Sequence, residues 1–349
     1  MTATRNVEHE GPSLADQVSH LYDLIAGYHL TNLIEVGREL GVWHTITGRP
    51  GISSTALADA LRTDPGYTDI LCKTAFAFEI LVRDGQGWCM APHMDAILGD
   101  PDSPFYLGRA ARAHLMLGGE NYPDMADRIR RGRVVPYQDQ SDAFIKEIGD
   151  GLRSLPRIFV NLVLPRVPAL GARLSAGARV LDLGCGAGWA IVELAERFPA
   201  SRVDGADIEP RSVEQAADRI VNRGLVDRCE ARLLGPDGLT DVERYDVITT
   251  FLVVHEIEPR LKDNVLAAAA RALAPGGSFV IFDEAYPDTD DGMRTMPSRF
   301  TTVAQWFEST WGNRIDTAGE LRARVARAGL RVTDETTFSR FTIVVAEKA

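Results

Sequence analysis

Apolar side chains recur at intervals of three and four over residues 14–40 (Leu14, Val18, Leu21, Ile25, then Leu33, Val36 and Leu40), the stripe of an amphipathic helix that Gly41 is placed to end. A short helix is expected in TALADAL, capped by Ser53 or Ser54. A third opens at Asp64-Pro65 and runs to about Leu81, proline being tolerated in the first turn. VRDGQGWCMAP then reads as a hairpin, with Asp84-Gly85 and Gln86-Gly87 supplying turn chemistry. Helices followed by such a hairpin make a winged-helix pattern.

From about residue 101 to 174 the pattern stays helical but is broken by Pro123, Pro136, Pro156, Pro165 and Pro168, which predicts several short connecting helices. After Ala178 strands alternate with helices: ARVLDLG, AIVELAERF, RVDGADI, RSVEQAADRIVNRG, CEARLLG, YDVITTFLV, LKDNVLAAAARAL, GSFVIFDEA. That alternation predicts an α/β fold with a doubly wound, mostly parallel, seven-stranded sheet. Two β-rich runs over 330–338 and 341–347, with no long helix between them, predict an antiparallel hairpin closing it. The layout expected is a winged-helix-like domain over 1–105, a helical linker over 106–174 and a Rossmann-like domain over 175–349. A length of 349 residues exceeds what one core usually serves.

Composition narrows the class. With 45% hydrophobic and 25% charged residues the chain resembles an ordinary soluble enzyme. Its start, MTATRNVEHEGPS, lacks the apolar run of a signal peptide, and no stretch nears the roughly 20 apolar residues that span a bilayer. A cytoplasmic protein with no membrane attachment is expected. Cys72, Cys89, Cys185 and Cys229 lack CxxC spacing, against both a zinc framework and secreted disulfides. A net charge of −11 opposes binding to a phosphate backbone.

The sharpest motif is VLDLGCGAGW. A buried strand meets a tight turn at Asp182, Gly184, Cys185, Gly186 and Gly188, and glycines let the backbone pass close to a ligand. The following helix, AIVELAERF, aims its N-terminal amides at the same space, which favours an anionic group. A dinucleotide fingerprint would need a third glycine where Trp189 stands. The spacing D-x-G-x-G-x-G instead resembles the first motif of class I methyltransferases. That resemblance implies S-adenosylmethionine as cofactor, its carboxylate at the helix start and its amino group held by Asp182.

Downstream residues follow in order. Asp207, with Ile208, ends the second strand, where a carboxylate can accept both ribose hydroxyls; a solvated turn acid is the alternative, and Asp204, inside the strand, is the rival. Asp237-Gly238 after the third strand is an ordinary turn, or, as the resemblance implies, a contact with adenine. Phe251 and Leu252 close the fourth strand as pocket wall or core. His255 follows at the sheet's carboxyl edge, with three readings open: general base, acceptor binding or packing, or metal ligand. His255-Glu256 does not make HExxH, because Pro259 stands where the second histidine belongs. A metal site from His255, Glu256 and Asp283 or Glu284 stays geometrically open, and no metal is expected.

The order of domains resembles the winged-helix small-molecule O-methyltransferases, of plant O-methyltransferase type, and their bacterial natural-product relatives. In that family a histidine after the fourth strand deprotonates the acceptor and is oriented by two acids. The resemblance implies this role for His255, with Asp283-Glu284 offering the first acid and Glu284 its partner in catalysis. Glu256 and Ile257 replace the family's usual neighbours, and TWGNRIDTAGE offers no equivalent of the second acid, Asn313-Arg314 occupying roughly that place.

In the first domain acids outnumber the bases about two to one over 1–110, and PGYTDILCKTAFAFEIL carries one lysine and much apolar surface. Homodimerisation is expected there rather than entry into a DNA groove. Tyr22, Tyr28, His29 and Asn32, or the apolar run from Met293 to Trp311, can cover an acceptor pocket or simply pack. The expected function is methyl transfer to a small-molecule acceptor, to oxygen or alternatively to nitrogen or carbon. A winged-helix regulator that senses the cofactor, or cofactor-assisted chemistry without net transfer, are the alternatives from other classes.

Overall fold

A computed structural model describes residues 11–348; the polar start over 1–10 and Ala349 lie outside the described residues. The chain divides into two units, Met1–Leu115 and Met116–Ala349.

The first unit opens with α1 (Leu14–Glu39), where Ser13 accepts the N–H of Asp16 and Asp16 reaches back to Ser13 in a capping box. The apolar stripe of α1 has two fates. Leu30, Leu33 and Ile34 pack on a core of Val42, Trp43, Ile46, Leu57 and Trp88, whereas Leu14, Val18, Leu21 and Ile25 are exposed. Three helices follow, α2 (Val42–Gly48), α3 (Ser54–Leu61) and α4 (Pro65–Ala77), then the hairpin of β1 (Leu81–Asp84) and β2 (Gly87–Met90), the element order of a winged helix. Ser53 and Asp64 cap α3 and α4 as their sequence predicts. The expected run of α4 to about Leu81 is corrected: it ends at Ala77, and Glu79 turns the chain at φ +59°. Ile80 then enters the core, and Leu81 pairs with Met90, so strand pairing overrides the helical period.

In the second unit short helices α5 (Ala110–Asn121, which straddles the division), α6 (Met125–Arg131), α7 (Asp142–Gly151), α8 (Ser154–Ile158) and α9 (Pro168–Gly177) precede the sheet. The sheet follows as β3 (Arg179–Leu183), α10 (Trp189–Arg197), β4 (Arg202–Asp207), α11 (Pro210–Asn222), β5 (Cys229–Leu233), β6 (Tyr245–Phe251), α12 (Lys262–Ala272) and β7 (Leu273–Glu284). It ends with α13 (Asp290–Met293), α14 (Met296–Glu308), α15 (Ala318–Arg327), β8 (Leu330–Phe338) and β9 (Phe341–Lys348). Its seven strands lie in the order β5-β4-β3-β6-β7-β9-β8, parallel except for β9, which runs antiparallel to both β7 and β8.

The central strands are buried on both faces, as helices on both sides of a parallel sheet require. Val180, Val247, Val280 and Val345 belong to one core, and their neighbours Leu181, Ile248, Ile281 and Val344 to the other. Strand order reverses between β3 and β6, which opens a crevice at their carboxyl ends. No single helix among the described residues is long and apolar enough to cross a membrane.

In α1 a glycine is dictated by packing. A Cβ on Gly37 would lie 2.2 Å from the Trp43 ring, whose Nε1–H donates to Ile34 O at 2.8 Å. Alanine gains about 1 kcal/mol of helix propensity there, but overpacking costs about 1–3 kcal/mol and the indole hydrogen bond is strained as well. Gly37→Ala is expected to lower the melting temperature; calorimetry showing a rise would mean that Trp43 can move aside freely.

Candidate active site

A cavity of about 1470 Å³ opens at the carboxyl ends of β3, β4 and β6. Asp182, Gly184, Cys185, Gly186, Asp207, Ile208, Asp237, Gly238 and Phe251 all stand on its wall. Gly188 is the exception and a correction: it stands back from the cavity, at φ +79°, where a Cβ would come within 2.7 Å of the Ala216 side chain. Its work is to let α10 approach α11. Gly184, at φ +71°, is equally constrained, since a Cβ there would strike Val253 at 2.5 Å.

The loop after β3 is held to the end of β4. Gly184 N–H donates to Ala206 O at 2.8 Å, and Gly186 N–H donates to Asp207 Oδ2 at 2.8 Å. Asp207 Oδ1 accepts the N–H of Glu209 at 2.9 Å. Burial pushes the Asp207 pKa up against these amides. Asp204, the rival within the strand, is buried but not unpaired, because Arg202 lies 3.0 Å away. Asp182, 2% exposed, accepts from Thr249 Oγ1 at 2.9 Å, and burial, aided by the nearby Asp207, pushes its carboxyl up to about 7. Burial likewise carries the Cys185 thiol well above its usual range, so it packs as an inert group.

Beyond β6 the chain turns sharply. Leu252 sits at φ +57°, a strained conformation for a side chain with a Cβ, secured by its N–H donating to Phe282 O at 2.8 Å. The turn delivers His255, 4% exposed, between two acids. Its Nδ1 bonds to Asp283, whose other oxygen accepts the His255 main-chain N–H at 3.2 Å. Its Nε2 lies 3.4 Å from Glu308 Oε1. Burial alone works against a charged imidazole, but the two carboxylates outweigh it and hold the pKa well above the ordinary value. His255 itself is not on the cavity wall; Val253 and Glu256 on either side are.

Two expectations are corrected here. Glu284 is not the acid bonded to His255: Asp283 is, while Glu284 pairs with Arg340 at 2.9 Å, and burial raises its pKa. Neighbours on a strand point to opposite faces, so only one of the pair can meet the imidazole. The second acid does exist. It is Glu308, at the end of α14, and not a residue at Asn313-Arg314. Among the described residues no group of three or more His, Cys, Asp or Glu is arranged to hold a metal ion, so the set from His255, Glu256 and Asp283 or Glu284 is not assembled.

Other wall residues are given no cofactor or acceptor role by the sequence. Glu256 lines the cavity, and burial, with Glu308, Asp207 and Asp283 nearby, pushes its carboxyl up to about 8 despite the neighbouring His255. Tyr137 faces the same acids; burial first, and then Glu256, Asp207 and Glu209, keep its phenol well above the usual range. Arg211 straps its segment down, donating to Gln138 O at 2.7 Å and Gln140 O at 3.0 Å while pairing with Glu209 at 2.7 Å. Trp189 carries the Arg219 guanidinium 3.7 Å over its ring, and its Nε1–H is buried without an acceptor.

These groups fit S-adenosylmethionine. Asp182 hydrogen-bonds through one oxygen only, which leaves acceptor capacity for an ammonium. Each Asp207 oxygen keeps a lone pair for a hydroxyl, and Ala187, Trp189 and Ala190 bring the start of α10 to the wall for a carboxylate.

A family model described as a methyltransferase domain matches residues 158–335, just over half of the chain. An uncharacterized methyltransferase of Synechocystis is 29% identical over 44% of this chain and 72% of its own length. The chain spans 58% and 54% of two further curated methyltransferase relatives. Among solved structures, an O-methyltransferase family protein from Burkholderia thailandensis superposes with a TM-score of 0.70 at 19% identity, covering 95% of this chain and 98% of that one. Human N-acetylserotonin methyltransferase in complex with SAM gives 0.73 at 17% identity, covering 97% and 99%. These two share its fold. Together with the cradle described above, the family match means that the chain belongs to the methyltransferase-domain family and is a class I S-adenosylmethionine-dependent methyltransferase.

Proposed function

We propose that this enzyme methylates an oxygen of a small-molecule acceptor, with His255 as the base. The observation that carries the reading is the imidazole held between Asp283 and Glu308, directly beside the cavity-lining Glu256. The cofactor supplies a methyl group on a sulfonium, an electrophile with a good leaving group. Alignment by the cavity therefore carries much of the rate. Asp182 would hold the ammonium end, Asp207 the ribose hydroxyls, and the Asp237-Gly238 turn with Ile208 and Phe251 would take the adenine.

An acceptor hydroxyl loses its proton as its oxygen bonds to carbon. Asp283 fixes the ring through Nδ1, which leaves Nε2 as the working nitrogen. A proton on Nε2 passes to Glu308, whose Oε2 is buried without a hydrogen-bond partner, and Nε2 then takes the acceptor's proton. Such a relay adds typically ~10²- to 10⁴-fold. Two copies pair through the first unit, where Leu14, Val18, Leu21 and Ile25 make an exposed apolar stripe on α1.

His255→Ala is expected to reduce turnover at least ~100-fold without weakening S-adenosylhomocysteine binding. In Glu308→Gln one carboxylate that raises the imidazole pKa is gone, so the limb on which activity rises with pH moves to lower pH. A limb that stays in place would remove His255 from the role of base.

Asp182→Asn separates binding from stability. Burial pushes the folded carboxyl up to about 7 whereas an unburied aspartate ionises at about 4, so the unfolded chain loses this proton first and stability falls as pH rises between the two. At about 1.4 kcal/mol per unit the penalty is a few kcal/mol, complete at alkaline pH. The variant is expected to melt higher than the parent at neutral and alkaline pH, with little gain at about pH 4, and to bind S-adenosylhomocysteine at least roughly tenfold more weakly. Equal affinity would place the ammonium elsewhere. For the interface, Leu21→Asp with Ile25→Asp is expected to give monomers by light scattering; a parent that is itself monomeric would end the dimer reading.

A further inference from the structure

The acids on the cavity wall are unevenly matched. Glu209 has Arg211 and Glu258 has Arg260, whereas Asp182, Asp207 and Glu256 have no basic side chain paired with them among the described residues. The two arginines on the wall, Arg260 and Arg271, are exposed and pair with none of the three. Under the reading proposed above, on which this inference rests, the cofactor answers Asp182 with its ammonium and Asp207 with its ribose. Glu256 is left over.

Its surroundings specify what is missing. Glu256 follows His255 in the turn after β6, with its main-chain N–H on Val253 O at 3.0 Å and, among the described residues, no hydrogen bond or ion pair to its carboxyl. Asp207 faces it from the end of β4, Asp283 from β7, Glu308 from α14 and Tyr137 from the segment before α7; against them stand His255 and, beside Tyr137, Arg211, which is already matched by Glu209. Three carboxylates against one imidazolium leave the locality negative before Glu256 ionises. Glu308, 5% exposed, adds an oxygen with no partner to the same cluster. A buried anionic cluster of this kind is costly unless a positive charge completes it.

We infer that Glu256 reads the charge of the acceptor: the small molecule carries a protonated amine, or another cationic nitrogen, that docks on the Glu256 carboxylate beside Tyr137 while a different atom is methylated. Docking displaces the proton that Glu256 holds at neutral pH, which goes to the buffer. The anionic counterpart of such an acceptor is repelled by the same cluster.

The test uses the full chain loaded with S-adenosylhomocysteine and phenols of similar shape but different charge: tyramine, 4-ethylphenol and 4-hydroxyphenylacetate, titrated calorimetrically at neutral pH. Tyramine is expected to bind roughly tenfold or more tightly than 4-ethylphenol, with 4-hydroxyphenylacetate the weakest. Buffers of different ionisation enthalpy should reveal proton release on tyramine binding. Glu256→Gln, nearly isosteric, erases both the preference and the proton release. A preference that survives in Glu256→Gln, no preference in the parent, or no binding of any of the three overturns the inference. S-adenosylhomocysteine affinity, read in the same samples, keeps the two levels apart: if it binds and tyramine has no advantage, only the charge-reading role falls, whereas failure to bind it would remove the cofactor site as well.

Discussion

The amide of Gly186 donating to Asp207 joins two loops that sequence keeps apart, and the cavity is built around that bond. A carboxylate accepting a main-chain N–H in a buried setting makes a strong, directional hydrogen bond. Through it the turn after β3 takes its position from the end of β4. Asp207 also accepts from Glu209, Glu209 caps α11 and holds Arg211, and Arg211 fastens the segment that carries Tyr137. Cofactor loop, ribose acid and cavity roof therefore share one chain of contacts, anchored where the order of strands reverses.

That chain was only partly legible in the sequence. Glycines at 184 and 186 and the acids at 182 and 207 announce themselves, because the turn demands special backbone conformations and strand ends are easy to place. The face of a strand end is harder to read. Asp283 and Glu284 are adjacent acids, and only the phase of β7 decides that the first meets His255 and the second meets Arg340. Glu308 was hidden for a different reason. It closes α14, a helix that reads as a pocket roof from its apolar residues, and nothing local marks one glutamate at its end as the partner of a histidine far away in sequence. The early end of α4 has a comparable cause, since Ile80 and Leu81 are taken by packing and pairing that only the folded unit supplies.

The site is assembled against the grain of stability. Burial pushes the Asp182 and Glu256 carboxyls up to about 7 and about 8, His255 is enclosed between two acids, and Leu252 is kept in a backbone conformation that a branched side chain resists. The two buried carboxyls and the Leu252 turn cost folding free energy, and the doubly buried sheet beneath, with apolar residues filling both faces of β3, β6, β7 and β9, is what offsets them. Cost and function coincide: groups that burial leaves electrostatically unsatisfied are the ones with most to gain from a ligand.

The contact between Gly188 and Ala216 carries a consequence for how such a sequence can drift. The space between α10 and α11 at this point holds one methyl group, and Ala216 already occupies it. A larger residue at 216 would wedge the helices apart just as a side chain at 188 would, even though 216 lies outside any glycine motif and touches no ligand. The two positions form a single steric lock whose halves sit on different helices, so neither is free to change alone.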